Sequence, residues 1–212
     1  MHHIDIEVID NFLSPSYFNL IQSLVTSVNH PWYFESTISS DFENVDAESY
    51  GFSYGILKYQ NEDLIGIPYR QQMTDRLPHV LAGFLQQAKD YCGRDNILSC
   101  RFDMVTRSSE KKYQHEPHID ITPYRDNVIT AIFYIVDSDA ETVIFNEKQT
   151  PQDGERNKWD DSKLTVKERI LPRENRIVFF NGHYIHTGNS PVNFKRRILL
   201  NTNFSSGPRE TF

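Results

Sequence analysis

The chain has 212 residues, with 29 acidic against 22 basic side chains and a formal net charge of −7. That balance gives no bulk electrostatic grip on nucleic acid, and leaves only local clusters such as Lys195-Arg196-Arg197 to meet a single anionic group. An aromatic-rich composition (14 Phe, 11 Tyr, 2 Trp) with 24% charged residues excludes a disordered chain, and a chain this long hides about 70% of its unfolded surface. The two cysteines, Cys92 and Cys100, are too few for a disulfide framework and have no metal-motif spacing, so a reducing cytoplasm is expected. The N-terminus carries no signal-peptide pattern and no apolar run reaches membrane-span length, so no membrane association is expected. One domain over 1–212 is predicted, with 1–95 as an N-terminal helical support region and 96–205 as a β core.

In chain order, Ile4, Ile6 and Val8 alternate with Asp5 and Glu7 and predict a short strand with one buried face. Ser14-Pro15 then supplies an N-cap and a first-turn proline, and Phe18, Leu20, Ile21, Leu24 and Val25 recur at helical spacing. From 31 to 59 the pattern is aromatic and irregular, consistent with loops and short strands; Trp32 there reads as core more readily than as cleft. A second helix is predicted over 77–91, stopped by Gly93. The period then changes to that of strands, over 97–106, 128–136, 142–145, 176–180, 184–187 and 196–204. The continuous β-branched and aromatic run at 128–136 predicts a strand buried on both faces. The polar stretch 146–175, with Pro151, Gly154 and Trp159, reads as a long excursion from the sheet, and Gly207-Pro208 as the end of regular structure. Many short strands after N-terminal helices predict a mainly β fold with flanking helices: a double-sheet jelly roll, or double-stranded β-helix, with the helices on an outer face.

The chemistry concentrates in Tyr113-Gln114-His115-Glu116-Pro117-His118-Ile119-Asp120. In an extended chain residues i and i+2 point the same way, so His118 and Asp120 present an imidazole and a carboxylate side by side. A distant histidine would complete two His and one carboxylate on one face of a metal, leaving the opposite face open for small ligands. His183 and His186 both follow the strand ending at Phe180 and compete for the third position; His115 reads as non-ligand polar surface.

The segment 114–120 resembles the x-x-E-P-H-x-D segment of prolyl 4-hydroxylase-like Fe(II)/2-oxoglutarate dioxygenases, including small viral members. Thr130-Ala131-Ile132-Phe133-Tyr134-Ile135 is similar to the family strand whose tyrosine helps hold 2-oxoglutarate. Glu141-Thr142-Val143-Ile144-Phe145 is similar to the G-G-x-T-x-F strand, with Ala140-Glu141 in place of the glycine pair. Arg176-Ile177-Val178-Phe179-Phe180-Asn181-Gly182 leads into His186, and Arg197-Ile198-Leu199-Leu200-Asn201 supplies the basic residue. The resemblance covers roughly 97–204.

It implies a jelly roll in which His118, Asp120 and His186 bind Fe(II). Arg197 and Tyr134 would hold the far carboxylate of 2-oxoglutarate, with Arg196 the rival anchor, while Tyr113 and Asn201 are candidates for the metal-proximal carboxylate. Thr142 reads as a pocket residue or as packing. The implied reaction consumes O2 and hydroxylates a protein or peptide substrate, prolyl or otherwise, or a small molecule, docked near Trp159 or Trp32. Halogenation is disfavoured by the presence of Asp120. The alternatives are a 2-oxoglutarate sensor without turnover and a jelly-roll metal protein or isomerase, for which Arg197 and Tyr134 would have no cosubstrate to hold. Oligomeric state is not legible.

Overall fold

The computed structural model describes residues 4–36, 38, 49–58, 76–122, 124–153 and 159–206. Its strands are β1 (Ile6–Ile9), β2 (Tyr33–Glu35), β3 (Gly51–Lys58), β4 (Asn96–Thr106), β5 (Ile129–Tyr134), β6 (Thr142–Lys148), β7 (Val166–Ile170), β8 (Ile177–Asn181), β9 (Tyr184–Gly188) and β10 (Arg196–Ser205). Helix α1 spans Pro15–Val25 and α2 spans Arg76–Cys92. The strands form a seven-stranded sheet in the order β1-β8-β5-β10-β4-β3-β2 and a three-stranded sheet in the order β7-β6-β9. Bridges Gln114↔Asn189 and His118↔His186 lay segment 114–118 along the free side of β9, as an irregular fourth strand of the smaller sheet.

Alternation along the strands sorts the side chains into layers. Every residue of β5 is buried: Ile129, Ala131 and Phe133 face the helices, while Ile132 and Tyr134 face the smaller sheet. On the helix side, Phe18, Ile21 and Val25 of α1 and Leu77, Leu81, Phe84, Ala88 and Cys92 of α2 close over Phe102, Phe133, Phe179 and Leu200. The Phe84 and Phe133 rings sit 5.0 Å apart. Between the sheets, Ile132, Tyr134, Ile144, Val178, Phe180, Tyr184 and Leu199 form a second cluster. Ile119, Val143, Phe145 and Ile185 form a third on the outer face of the smaller sheet, under Trp159 and Leu164. This is the predicted double-sheet jelly roll with helices on the larger sheet.

Several expectations are refined. Pro15 opens α1 as predicted, but the Ser14 side chain makes no capping bond. Gly93 follows α2 at φ +61, the left-handed geometry that glycine adopts without steric cost. Within 1–95, β1, β2 and β3 extend the larger sheet at both edges. The polar excursion is shorter than predicted: β6 runs on to Lys148 and β7 pairs back along it, and the described residues of the connection include the 3-10 turns Pro151–Asp153 and Asp161–Lys163. β7 is an edge strand exposed over most of its length, so its sequence carries little hydrophobic period. Trp32 packs with the helix-side core and Trp159 on the outer face of the smaller sheet, so neither lines the space between the sheets. Gly154, Gly207 and Pro208 lie outside the described residues. No described helix is long and apolar enough to cross a membrane.

Candidate active site

His118 and His186 exchange both backbone hydrogen bonds, each at 2.9 Å, which makes them a directly opposed pair with side chains on one face. That face looks between the sheets, since His186 shares its parity with Tyr184 of the inter-sheet cluster. The His118 and His186 rings are 4.7 Å apart. Asp120, two residues beyond His118, completes the group, and one donor atom from each of the three falls within 4.8 Å of the others.

The histidine tautomers follow from their outer partners. Nδ1 of His118 lies 3.0 Å from the Glu116 carbonyl and Nδ1 of His186 lies 3.1 Å from the Tyr184 carbonyl. A carbonyl only accepts, so each Nδ1 carries the proton and each Nε2 turns a lone pair inward. Those lone pairs face Asp120, at 3.9 Å from His118 to Oδ1 and 3.5 Å from His186 to Oδ2. Nε2 of His186 is buried without a hydrogen-bond partner. Two lone pairs and a carboxylate converging in a buried space need a cation or a proton between them. Burial, then the neighbouring His186, pushes His118 down to about 4, so it stays neutral and able to ligate. Burial also opposes charge on His186, but the Asp120 carboxylate outweighs it and raises the imidazole above its ordinary value. Asp120 is held ionised: burial alone would raise it, yet the two histidines and Arg101 keep it well below the usual carboxylate range. The donor set fits a divalent metal bound by two imidazoles and one carboxylate.

The carboxylate is braced from the larger sheet. Asn201 Nδ2 donates to Asp120 Oδ1 at 3.0 Å, and Thr130 Oγ1 lies 3.4 Å from Oδ2. Thr130 in turn donates to Asn203 at 2.7 Å. Asn201, a candidate for the metal-proximal carboxylate in the sequence, is placed here against a candidate ligand. Such outer partners fix the orientation and basicity of metal ligands.

Further along β10, Arg197 is buried at 6% exposure, while Arg196 on the opposite parity is half-buried. Arg197 Nη2 donates to Thr142 Oγ1 at 2.6 Å, and the Tyr134 hydroxyl meets the same oxygen at 2.7 Å. Among the described residues Arg197 has no ion-pair partner, and its Nε makes no hydrogen bond. Burial lowers its affinity for the proton, although a guanidinium remains charged. A buried fork without a carboxylate is matched to an anionic ligand. Gly188 makes room for it: a Cβ there would stand 2.6 Å from Arg197 Nη1.

Among the described residues, the contacts that place the other sequence candidates are with residues outside the triad. His183 stacks on Tyr124 with centroids 4.5 Å apart, and its Nε2 is 2.6 Å from the Arg125 carbonyl, away from the triad. Tyr113 stands edge-on to His115 at 5.0 Å. His115 is a correction: it is 2% exposed, not surface. Thr130, Asn203 and Gly188 are not marked out by the sequence, where a strand threonine, asparagine or glycine carries no distinguishing signal.

No family model matches the chain, and no curated protein matches it. Solved structures do. The non-heme α-ketoglutarate-dependent epimerase SnoN from nogalamycin biosynthesis aligns over 96% of this chain and 77% of its own, with a TM-score of 0.63 at 11% identity. A 2OG-Fe(II) oxygenase family oxidoreductase from Burkholderia pseudomallei aligns over 97% and 89%, with a TM-score of 0.59 at 13% identity. A Pseudomonas putida prolyl-4-hydroxylase aligns over 96% and 94%, with a TM-score of 0.54 at 13% identity. What these proteins share with the chain is the fold.

Proposed function

We propose, with the oxygenase fold as premise, that the chain is an Fe(II)- and 2-oxoglutarate-dependent dioxygenase that converts 2-oxoglutarate, O2 and a substrate C–H into succinate, CO2 and the hydroxylated product. The observation that carries this reading is the pairing of two fitted sites between the sheets: a His-Asp-His donor set and, on the same strand that braces it, a buried arginine with no carboxylate partner among the described residues. A jelly-roll metal protein of another kind needs the first and has no use for the second.

His118, Asp120 and His186 would hold the iron, with each Nδ1 proton fixed on a backbone carbonyl so that Nε2 faces inward. Bound iron(II) would supply the redox chemistry that couples oxidative decarboxylation of 2-oxoglutarate to oxidation of the substrate. Asn201 keeps the Asp120 carboxylate turned toward the histidines. Arg197 forms the charged end of the cosubstrate site, and Thr142, bonded to both Arg197 and Tyr134, sets the fork in place. The apolar lining of Ile132, Ile144, Phe180 and Leu199 excludes water from the chelating group.

For the substrate, a prolyl peptide is the first to test, because the prolyl-4-hydroxylase matches this chain over nearly its whole length. A small-molecule substrate is the second reading, supported by the higher TM-score of the epimerase. The test of the activity is succinate release from labelled 2-oxoglutarate in the presence of Fe(II) and O2. Release by the wild-type chain, lost in Asp120→Ala, supports the dioxygenase reading; a folded, iron-loaded protein that releases none with or without candidate substrates counts against it.

A further inference from the structure

The chain carries a buried polar atom that neither the metal set nor the Arg197 cradle uses. His115 is 2% exposed, its Nε2 lies 3.1 Å from Ser190 Oγ, and its Nδ1 has no hydrogen-bond partner among the described residues. His115 and His118 are three residues apart, so regular alternation would turn them to opposite faces. The pairing with β9 prevents this. Gln114 is bridged to Asn189 and His118 to His186, so the five residues 114–118 run opposite the four residues 186–189. The extra residue resets the alternation. His115 N donates to the Gly188 carbonyl at 3.0 Å, which sets His115 opposite Gly188, the residue whose missing Cβ admits Arg197. Residues opposed across an antiparallel pair share a face. His115 therefore points into the space between the sheets, on the Arg197 side of the triad.

Resting on the 2-oxoglutarate reading above, we infer that His115 is a further cosubstrate-binding residue, whose Nδ1–H donates to the carboxylate that Arg197 holds. Ser190 sets the tautomer: a hydroxyl donating to Nε2 leaves the proton on Nδ1. The ring is neutral, because burial and then the positive charge of Arg197 press it down to about 3. A neutral donor suits a position beside a guanidinium, where a second cation would be repelled. A buried donor left unmatched costs free energy, and an arriving carboxylate removes that cost.

The test uses the full chain loaded with Mn(II) and two probes, 2-oxoglutarate and 2-oxobutyrate, which share the metal-chelating 2-oxo acid and differ in the second carboxylate. Isothermal titration of His115→Leu is expected to give a Kd for 2-oxoglutarate about tenfold weaker than wild type, with 2-oxobutyrate and Mn(II) itself bound as before. His115→Asn, which returns an amide donor close to the Nδ1 position, is expected to recover part of the loss, and His115→Gln, which reaches Ser190 instead, is not. Should the leucine variant fail to fold, the asparagine and glutamine pair carries the comparison alone. Unchanged 2-oxoglutarate affinity in the leucine and glutamine variants overturns the inference, as does equal weakening of both probes. If the wild-type chain binds Mn(II) but neither probe, the cosubstrate reading itself fails, an outcome distinct from a variant-specific null.

Discussion

At the scale of single residues, the candidate site depends on partners that aim other side chains. Asn201 touches Asp120, so its removal leaves the three ligands present but one carboxylate oxygen unbraced. Asn201→Ala is expected to weaken metal binding by about 10-fold to 100-fold, read by competition against a chelator; an affinity within twofold of wild type would show that the hydrogen bond has no bearing on the ligand. Gly188→Ala makes a different prediction. The added Cβ would meet the far end of a flexible arginine, so the guanidinium yields and the backbone does not. Affinity for 2-oxoglutarate is expected to fall about tenfold while the unfolding midpoint stays close to wild type; a large loss of stability with intact binding would contradict this. The candidate tripeptide was legible because alternation alone aligns His118 with Asp120, and the motif order of the family that the sequence resembles pointed to His186 and Arg197. His115 was not, since the irregularity that turns it inward lies in the pairing with β9 and leaves no mark on local sequence.

At the scale of elements, β10 is the spine of the site. Its inward row carries Arg197, Leu199, Asn201 and Asn203, which serve in turn the anion cradle, the inter-sheet cluster, the Asp120 brace and Thr130. The turn between β8 and β9 delivers His186 from the larger sheet to the smaller one, and Gly182 in that turn lies against the Val128 side chain with no room for a Cβ. Val128 is branched at Cβ and cannot swing away cheaply. Gly182→Ala is therefore expected to destabilise the protein by about 1–3 kcal/mol, read as a lower urea midpoint, and Val128→Ala in the same chain should return part of it. Additive losses in the double variant would refute the steric account. Strands with a strong hydrophobic run, such as β5 and β8, were legible; β7 was not, because an exposed edge strand needs no apolar face and its polar sequence resembles a loop.

At the scale of the whole molecule, burying neutral histidines links the fold to pH. His115 is pushed down to about 3 by burial and then by Arg197 and His118, and His118 to about 4 by burial and then by His186. In the unfolded chain both titrate near 6.5. Between about pH 6.5 and 4 the unfolded state therefore binds more protons at these two groups, and stability falls as pH falls. His186, raised by Asp120, acts in the opposite direction but is one group against two. The metal-free protein should lose stability from pH 7 to pH 5, with a shallower decline in His115→Gln; a flat profile, or the same slope in that variant, would contradict the assignment.

The central claim, that a metal triad and an anion cradle together form one cosubstrate site, is tested most directly by adding Fe(II) and 2-oxoglutarate to the metal-free protein without oxygen and following the weak visible charge-transfer band of the chelate. A band is expected in the wild-type chain, absent in His186→Ala and requiring far more 2-oxoglutarate in Arg197→Ala. No band from folded, iron-loaded protein, or a band indifferent to Arg197, would contradict the account.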